Sequence, residues 1–169
     1  MNFLSKLSFG FLGVIFFAAV CAPWITPHSY ETQDTLNTLA TPSFSHLMGT
    51  DRLGRDLFSR LIYGARVSLF IGVFTTLLAL IVGTIYGSIS GYVGGRIDGF
   101  MMRVVDVIFA LPDMLMIILI TVMMGRGILG MFVALTLVSW VTVARLVRGE
   151  VLRIKEKTYV EAARALGAS

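Results

Sequence analysis

Asp106 and Asp113 are carboxylates set within an otherwise apolar stretch, 104–124, with Pro112 beside the second of them. An ionised side chain inside a bilayer costs roughly 2.5–3.5 kcal/mol on insertion scales, so it must face protein or water. Pro112 lacks a backbone donor and favours a kink. A kink next to a carboxylate suits a moving part beside a pathway, or a relay for protons or ions. The alternative is a packing kink whose carboxylates are satisfied locally, Asp106 by snorkelling or by Arg103 at i,i−3. Other chemistry is excluded more firmly. The two histidines, His28 and His46, lie in a polar segment away from the apolar stretches. No intramembrane serine therefore has a histidine base, and no His/Cys/carboxylate group has zinc spacing. No lysine lies between Lys6 and Lys155, and no glycine-rich phosphate loop is present. The chain reads as no enzyme and as needing no cofactor of its own; any chemical energy must reach it through partner subunits.

Composition defines the setting in which those residues act. Of 169 residues, 56% are hydrophobic without counting the 17 glycines, and 14% are charged. Soluble domains reach about 45–50% apolar only with glycine included and carry about 25% charged residues. Mean hydropathy is +0.84, which makes the class an integral membrane protein and excludes a disordered chain. Cys21 is the lone cysteine, so no disulfide framework exists. The formal charge of +4 reports orientation before it reports nucleic-acid affinity.

A spanning helix needs about 20 mostly apolar residues. Residues 7–25, 67–88, 104–124 and 127–144 meet that need, predicting four spans. The first has a rival reading as a signal peptide, with Lys6 before the run and Val20-Cys21-Ala22 at its end. Bulky Phe9, Phe11, Phe16 and Phe17, and apolar character continuing to Trp24 and Ile25, favour an uncleaved anchor. Arg145, Arg148, Arg153, Lys155, Lys157 and Arg164 follow the last span, whereas Arg126 stands alone before it. The positive-inside rule then makes residue 169 and the N-terminus cytoplasmic, with the loop at Arg96 and Arg103. Arg52, Arg55, Arg60 and Arg66 pull against this assignment from the first loop, offset in part by Asp51 and Asp56.

Between the spans, 23–48 is turn-rich and predicts an external loop. Over 49–66, Leu53, Leu57, Phe58, Leu61 and Ile62 recur at helical spacing, with Asp51/Arg55 and Asp56/Arg60 at i,i+4. That pattern predicts an amphipathic interfacial helix ended by Gly64. Gly83, Gly87 and Gly91 repeat every four residues and predict a stripe for close helix packing. Gly94-Gly95 predict a turn. In the tail, Thr158 and Glu161 have capping-box spacing, Ala162, Ala163, Arg164 and Ala165 favour helix, and Gly167 can end it. The result is a helix of about eight residues, roughly 12 Å long. It is too short to be stable alone, so it implies either a membrane-surface helix or a contact lever for a partner.

These residues carry a resemblance. Gly49-Thr50-Asp51, Gly54-Arg55-Asp56, Ser59-Arg60, Tyr63-Gly64-Ala65-Arg66-Val67-Ser68-Leu69, Gly91-Tyr92, Gly94-Gly95, Met102-Arg103-Val104-Val105-Asp106, Ala110, Pro112, Ser139-Trp140, Ala144-Arg145-Leu146-Val147-Arg148-Gly149-Glu150 and Tyr159-Val160-Glu161-Ala162-Ala163-Arg164-Ala165-Leu166-Gly167-Ala168-Ser169 are similar to the permease subunits of ABC importers for dipeptides, oligopeptides and nickel, of the OppC/DppC type. The resemblance implies an all-α polytopic bundle of the type I importer permease fold, here partial: residues 1–66 as anchor, external loop and interface helix, and 67–169 as the permease domain. It implies a sister permease, two ATP-binding subunits, an external solute-binding protein and an inner-membrane location. It makes the Glu-Ala-Ala-x-x-x-Gly segment a coupling helix that docks on an ATPase, with Tyr159, Glu161, Ala162, Ala163 and Gly167 as contact or shaping residues. Such subunits continue for two further spans, so the chain resembles one truncated after this motif. Two other readings stay open: an ion- or proton-conducting channel using Asp106 and Asp113, and a fragment that binds a partner without transporting.

Overall fold

In the computed structural model, residues 3–125 and 127–167 are described. Arg126, on which part of the orientation argument rests, lies outside them, as do Ala168 and Ser169 of the tail motif. Among the described residues the regular elements are all helices: α1 Phe3–Val20, α2 Ala22–Ile25, α3 Leu57–Val93, α4 Gly95–Phe109, α5 Asp113–Met124, α6 Ile128–Lys155 and α7 Thr158–Ala165, with turns and irregular chain over 26–56. The all-α class follows directly. Two compact units divide the chain, Met1–Gly72 and Val73–Ser169, and α3 passes from one into the other.

The predicted helices are redrawn in three places. The first apolar stretch is not one helix over 7–25. It begins at Phe3 and breaks at Cys21, where Pro23 enters α2 in its first two positions. The proline ring clashes with the carbonyl of the residue four before it, so α1 ends and a new short turn begins. The 49–66 helix is also revised. Residues 49–56 form turns, the helix starts only at Leu57, and Gly64 lies inside it rather than ending it. Asp51 bonds the backbone N–H groups of Leu53 and Arg55 at 2.8 and 3.0 Å, a local alternative that competes with helix. Gly54 sits at φ +70°, where an added Cβ would overlap the Asp34 carbonyl. The third stretch departs most: α4 and α5 are separated by an 82° bend. Ala110, Leu111 and Pro112 fill the break, and Asp113 opens α5. α3 and α6 are long and apolar enough to cross a membrane, and the bent α4–α5 pair makes a third crossing if counted as one span.

In the first unit, Asp56 caps α3 by accepting from the Ser59 N–H at 2.8 Å. Its other oxygen meets His46 Nδ1 at 3.0 Å. Arg55 and Arg60 both pair with Asp51. The Asp51/Arg55 pair therefore forms, but on a turn, and the expected Asp56/Arg60 pair is replaced. The Thr50 hydroxyl accepts from the Ala40 N–H at 2.8 Å, tying the middle of the loop to the stretch just before α3.

In the second unit, α6 is the central element, packing against α5 most extensively and against α4 and α7. Its buried face is small: Gly130, Ala134, Val141 and Ala144. Small residues allow close approach where apolar lipid supplies no hydrophobic drive between helices.

Candidate functional site

The glycine stripe of α3 lies directly on α6. A Cβ on Gly83 would sit 2.6 Å from Val143 Cβ, one on Gly91 2.9 Å from Val151 Cβ, and one on Gly87 would overlap the Ala144 carbonyl. The partner residues advance with the glycines, from Val143 through Val147 to Val151, so the two helices run parallel. The C-terminal ends of α3 and α6 and the start of α4 therefore meet at one end of the unit.

That end carries a polar network. Arg148 donates from Nε and Nη2 to both oxygens of Asp98, at 2.5 and 2.6 Å. The Ser90 hydroxyl donates to the same carboxylate at 2.5 Å; Ser90 itself is fully buried. Paired forks of this kind are the strong form of charge-assisted hydrogen bond. Lys155 Nζ donates to the Gly91 and Tyr92 carbonyls at 3.2 and 2.9 Å. The last carbonyls of a helix have no intrahelical donor, and a lysine there also complements the helix dipole. Tyr86 of α3 donates to the Met101 carbonyl of α4 at 2.9 Å and sets its ring edge-on to Trp140 of α6, centroids 4.9 Å apart. Gly94 and Gly95 both take positive φ, 70° and 59°, which lets α4 start immediately after α3 ends.

The intramembrane candidates fall in different places. Asp106 does not pair with Arg103. It accepts from Arg145 Nη2 at 2.6 Å, and that guanidinium lies 4.1 Å from the centre of the Phe109 ring. Arg145 approaches from the neighbouring α6, with its guanidinium over the Phe109 ring. Pro112 stands immediately before α5, and Asp113 occupies its first turn. A carboxylate is favoured there by the unsatisfied N–H groups of the helix start. Asp113 is exposed in this chain and does not share a cluster with Asp106.

α7 follows α6 after Glu156 and Lys157. Its eight residues match the expected length, but the capping box does not form. Lys157 is the N-cap, and no side chain caps the helix. Thr158 has already taken a helical conformation, so its hydroxyl is past the capping position. At the other end, Gly167 adopts φ +95°, and its N–H donates to the Arg164 carbonyl at 2.9 Å. Tyr159, Glu161, Ala162 and Ala163 are exposed, Tyr159 by 65% and the adjoining Leu166 by 91%. The network residues Ser90, Asp98, Arg148 and Lys155 were not singled out from sequence. The available signal was the spacing of Arg148 and Lys155, seven residues and two helical turns apart on one face.

A bundle of apolar helices packed through glycines, with a charged end and an exposed short helix, defines the class as a polytopic membrane protein. Residues 83–169 match the binding-protein-dependent transport system inner membrane component family, and residues 2–42 match the N-terminal transmembrane domain of oligopeptide transport permease C. The chain belongs to the family of binding-protein-dependent transport system inner membrane components, which are multi-pass inner-membrane permeases. It is 46% identical over 167 residues to the dipeptide transport system permease protein DppC of Bacillus subtilis, covering 99% of this chain and 52% of that protein. It is 43% identical over 167 residues to the oligopeptide transport system permease protein OppC of the same organism, covering 99% and 55%. The glutathione transport system permease protein GsiD of Salmonella typhi is 46% identical over 163 residues, covering 95% and 53%. The chain spans about half the length of these relatives.

Proposed function

We propose that this chain is part of the permease subunit of an ABC importer for di- or oligopeptides, or for related small solutes such as nickel chelates. In this reading it forms a translocation pathway with a sister permease. An external solute-binding protein delivers the solute, and two ATP-binding subunits drive transport, one of them docking on α7. ATP binding by those subunits pushes on α7 and shifts the bundle between inward- and outward-facing populations. The domain assignment, 1–66 for anchor and loop and 67–169 for the permease domain, belongs to the same proposal. So does the orientation: Arg96, Arg103, Arg145, Arg148, Arg153, Lys155, Lys157 and Arg164 all follow α3, at or near the end where the network lies, and the positive-inside rule makes that end cytoplasmic.

The exposed face of α7 carries the proposal. An eight-residue helix does not hold its shape in water by itself, and Tyr159 and Leu166 stand uncovered among the described residues. A groove on a partner would supply the missing burial. The test is cysteine cross-linking from Ala162→Cys to the ATP-binding subunit in the assembled importer, with co-purification of Glu161→Ala and Gly167→Val variants. Cross-linking of wild-type-like protein is expected, with weakened association in Gly167→Val at unchanged membrane yield. Absence of any cross-link from the α7 face would refute docking there.

A further inference from the structure

We propose that Lys155, backed by the Asp98–Arg148 pair, is a positioning residue that carries displacement of α7 into the turn between α3 and α4. This deepens the reading of α7 as a docking helix and rests on it. The spacer between α6 and α7 is not a slack linker. Lys157 N–H donates to the Ile154 carbonyl at 3.1 Å, and Val160 N–H donates to the Lys157 carbonyl at 2.8 Å. A push on α7 therefore arrives at the last turn of α6, where Lys155 sits. The Lys155 ammonium is bonded to the Gly91 and Tyr92 carbonyls at 3.2 and 2.9 Å, at the very end of α3. One turn before Lys155, Val151 lies close against Gly91. Two turns back along α6, Arg148 grips Asp98 on α4 with both carboxylate oxygens engaged. Ser90 of α3 joins the same carboxylate at 2.5 Å.

Two helices, α3 and α4, are thus fastened to the last two turns of α6, just ahead of α7. The fasteners differ in kind. The Asp98–Arg148 fork is directional and charge-assisted, which suits a fixed pivot. The lysine ammonium is a point donor on a flexible stem, with three donors for whichever carbonyls come within reach. It can follow the end of α3 as α6 moves and still transmit load. Arg145 on Asp106 is more exposed, at 38% and 61%, and serves less well as a pivot because solvent competes for it.

The experiment uses the complete importer in proteoliposomes with its solute-binding protein. Lys155→Met is expected to keep the ATP-binding subunits bound and their basal hydrolysis intact. Solute-stimulated hydrolysis and uptake should fall at least about fivefold, the lower edge of ordinary coupling between sites. Lys155→Arg, which keeps donors at this position, should recover most of the stimulation. Asp98→Arg should uncouple the importer in the same way, and the exchange Asp98→Arg/Arg148→Asp should restore part of it. Unchanged stimulation in Lys155→Met would overturn the joint while leaving α7 docking intact. Loss of the ATP-binding subunits from Lys155→Met would also overturn it, because a transmitting residue does not hold the partner. Failure of the α7 cross-link in unaltered protein is a separate result and would remove the docking reading itself.

Discussion

Both units of this chain carry a network of aspartates and basic side chains, and the two are built on opposite principles. In the first unit Asp51 holds Arg55 and Arg60, and Asp56 holds Ser59 and His46, partners all within ten residues in sequence. In the second, Asp98 meets Arg148 across 50 positions, Asp106 meets Arg145 across 39, and Lys155 reaches Gly91 across 64. The first network shapes a loop and starts a helix. The second fixes how separate helices sit against one another. Local pairs can be lost with a local cost, whereas long-range pairs take the arrangement of a unit with them.

The largest effect should come from the surface on which the second network rests. Gly87→Leu puts a side chain where even a Cβ overlaps the Ala144 carbonyl. Overpacking typically costs 1–3 kcal/mol and more where backbone blocks relaxation. The expected outcome is a sharp drop in detergent-stable protein and in melting temperature; a normal melting curve would break the close-packing account.

Next comes the long-range pair itself. Arg148→Met leaves Asp98, only 14% exposed at its side chain, with the Ser90 hydroxyl but without its fork. A hydrogen bond to a charged group is worth about 1.5–3 kcal/mol, so the variant should melt lower. A double-mutant cycle with Asp98→Asn should return a coupling energy within that range.

The loop network should answer to pH instead. Burial would push the Asp56 carboxyl up, but the Ser59 backbone N–H and the His46 ring outweigh it and hold its pKa below the ordinary value. Asp51 is depressed further: burial again opposes, and the Arg55 side chain and the Arg55 and Leu53 N–H groups prevail. A carboxylate depressed in the folded state contributes its full stability above its unfolded pKa of about 3.9 and loses it as pH falls through the folded value. Amide protection at Leu53, Arg55 and Ser59 should therefore hold at pH 5 and fade below about pH 4. Asp56→Ala should lose about 0.5–2 kcal/mol of local stability through its cap at any pH above that. Retained protection at Ser59 in this variant would show that the cap is not what starts α3.

The smallest effect belongs to Glu150 and Arg153, paired at 2.6 Å but with side chains 50% and 64% exposed. Glu150→Gln should change stability by about 0.5 kcal/mol or less. A larger loss would blur the distinction between surface pairs and the buried fork.

Much of this was legible in the chain, for reasons that differ by residue. Apolar runs declare helices because a bilayer leaves the backbone no other way to satisfy itself. Gly83, Gly87 and Gly91 read as a packing stripe because spacing four places them on one face. Gly167 read correctly as a helix end because a left-handed residue is costly for any side chain with a Cβ. Thr158 did not behave as its spacing with Glu161 implied, since the cap position was already occupied by Lys157. Asp51 and Asp56 were placed on a helix by i,i+4 counting, but an aspartate that bonds its own downstream amides stops helix rather than extending it. The Asp98–Arg148 fork and the Lys155 cap lay beyond reach. A pattern read along one helix does not say which distant helix faces it.

One consequence concerns the repeat on the two sides of the α3–α6 contact. Glycines recur every four residues on α3, and Val143, Val147 and Val151 recur every four on α6. Sliding α6 forward or back by one repeat, about 6 Å at 1.5 Å per residue, would again set valine against glycine along most of the seam. The apolar surface alone therefore defines a ladder of nearly equivalent rungs, not a single address. The polar side chains remove the ambiguity. One rung either way, Asp98 would face Leu152 or Ala144 in place of Arg148. In one direction Lys155 would be driven against Gly91 itself. The seam is permissive and the charges are its index marks, so the same helices can be held in one setting firmly without being welded there.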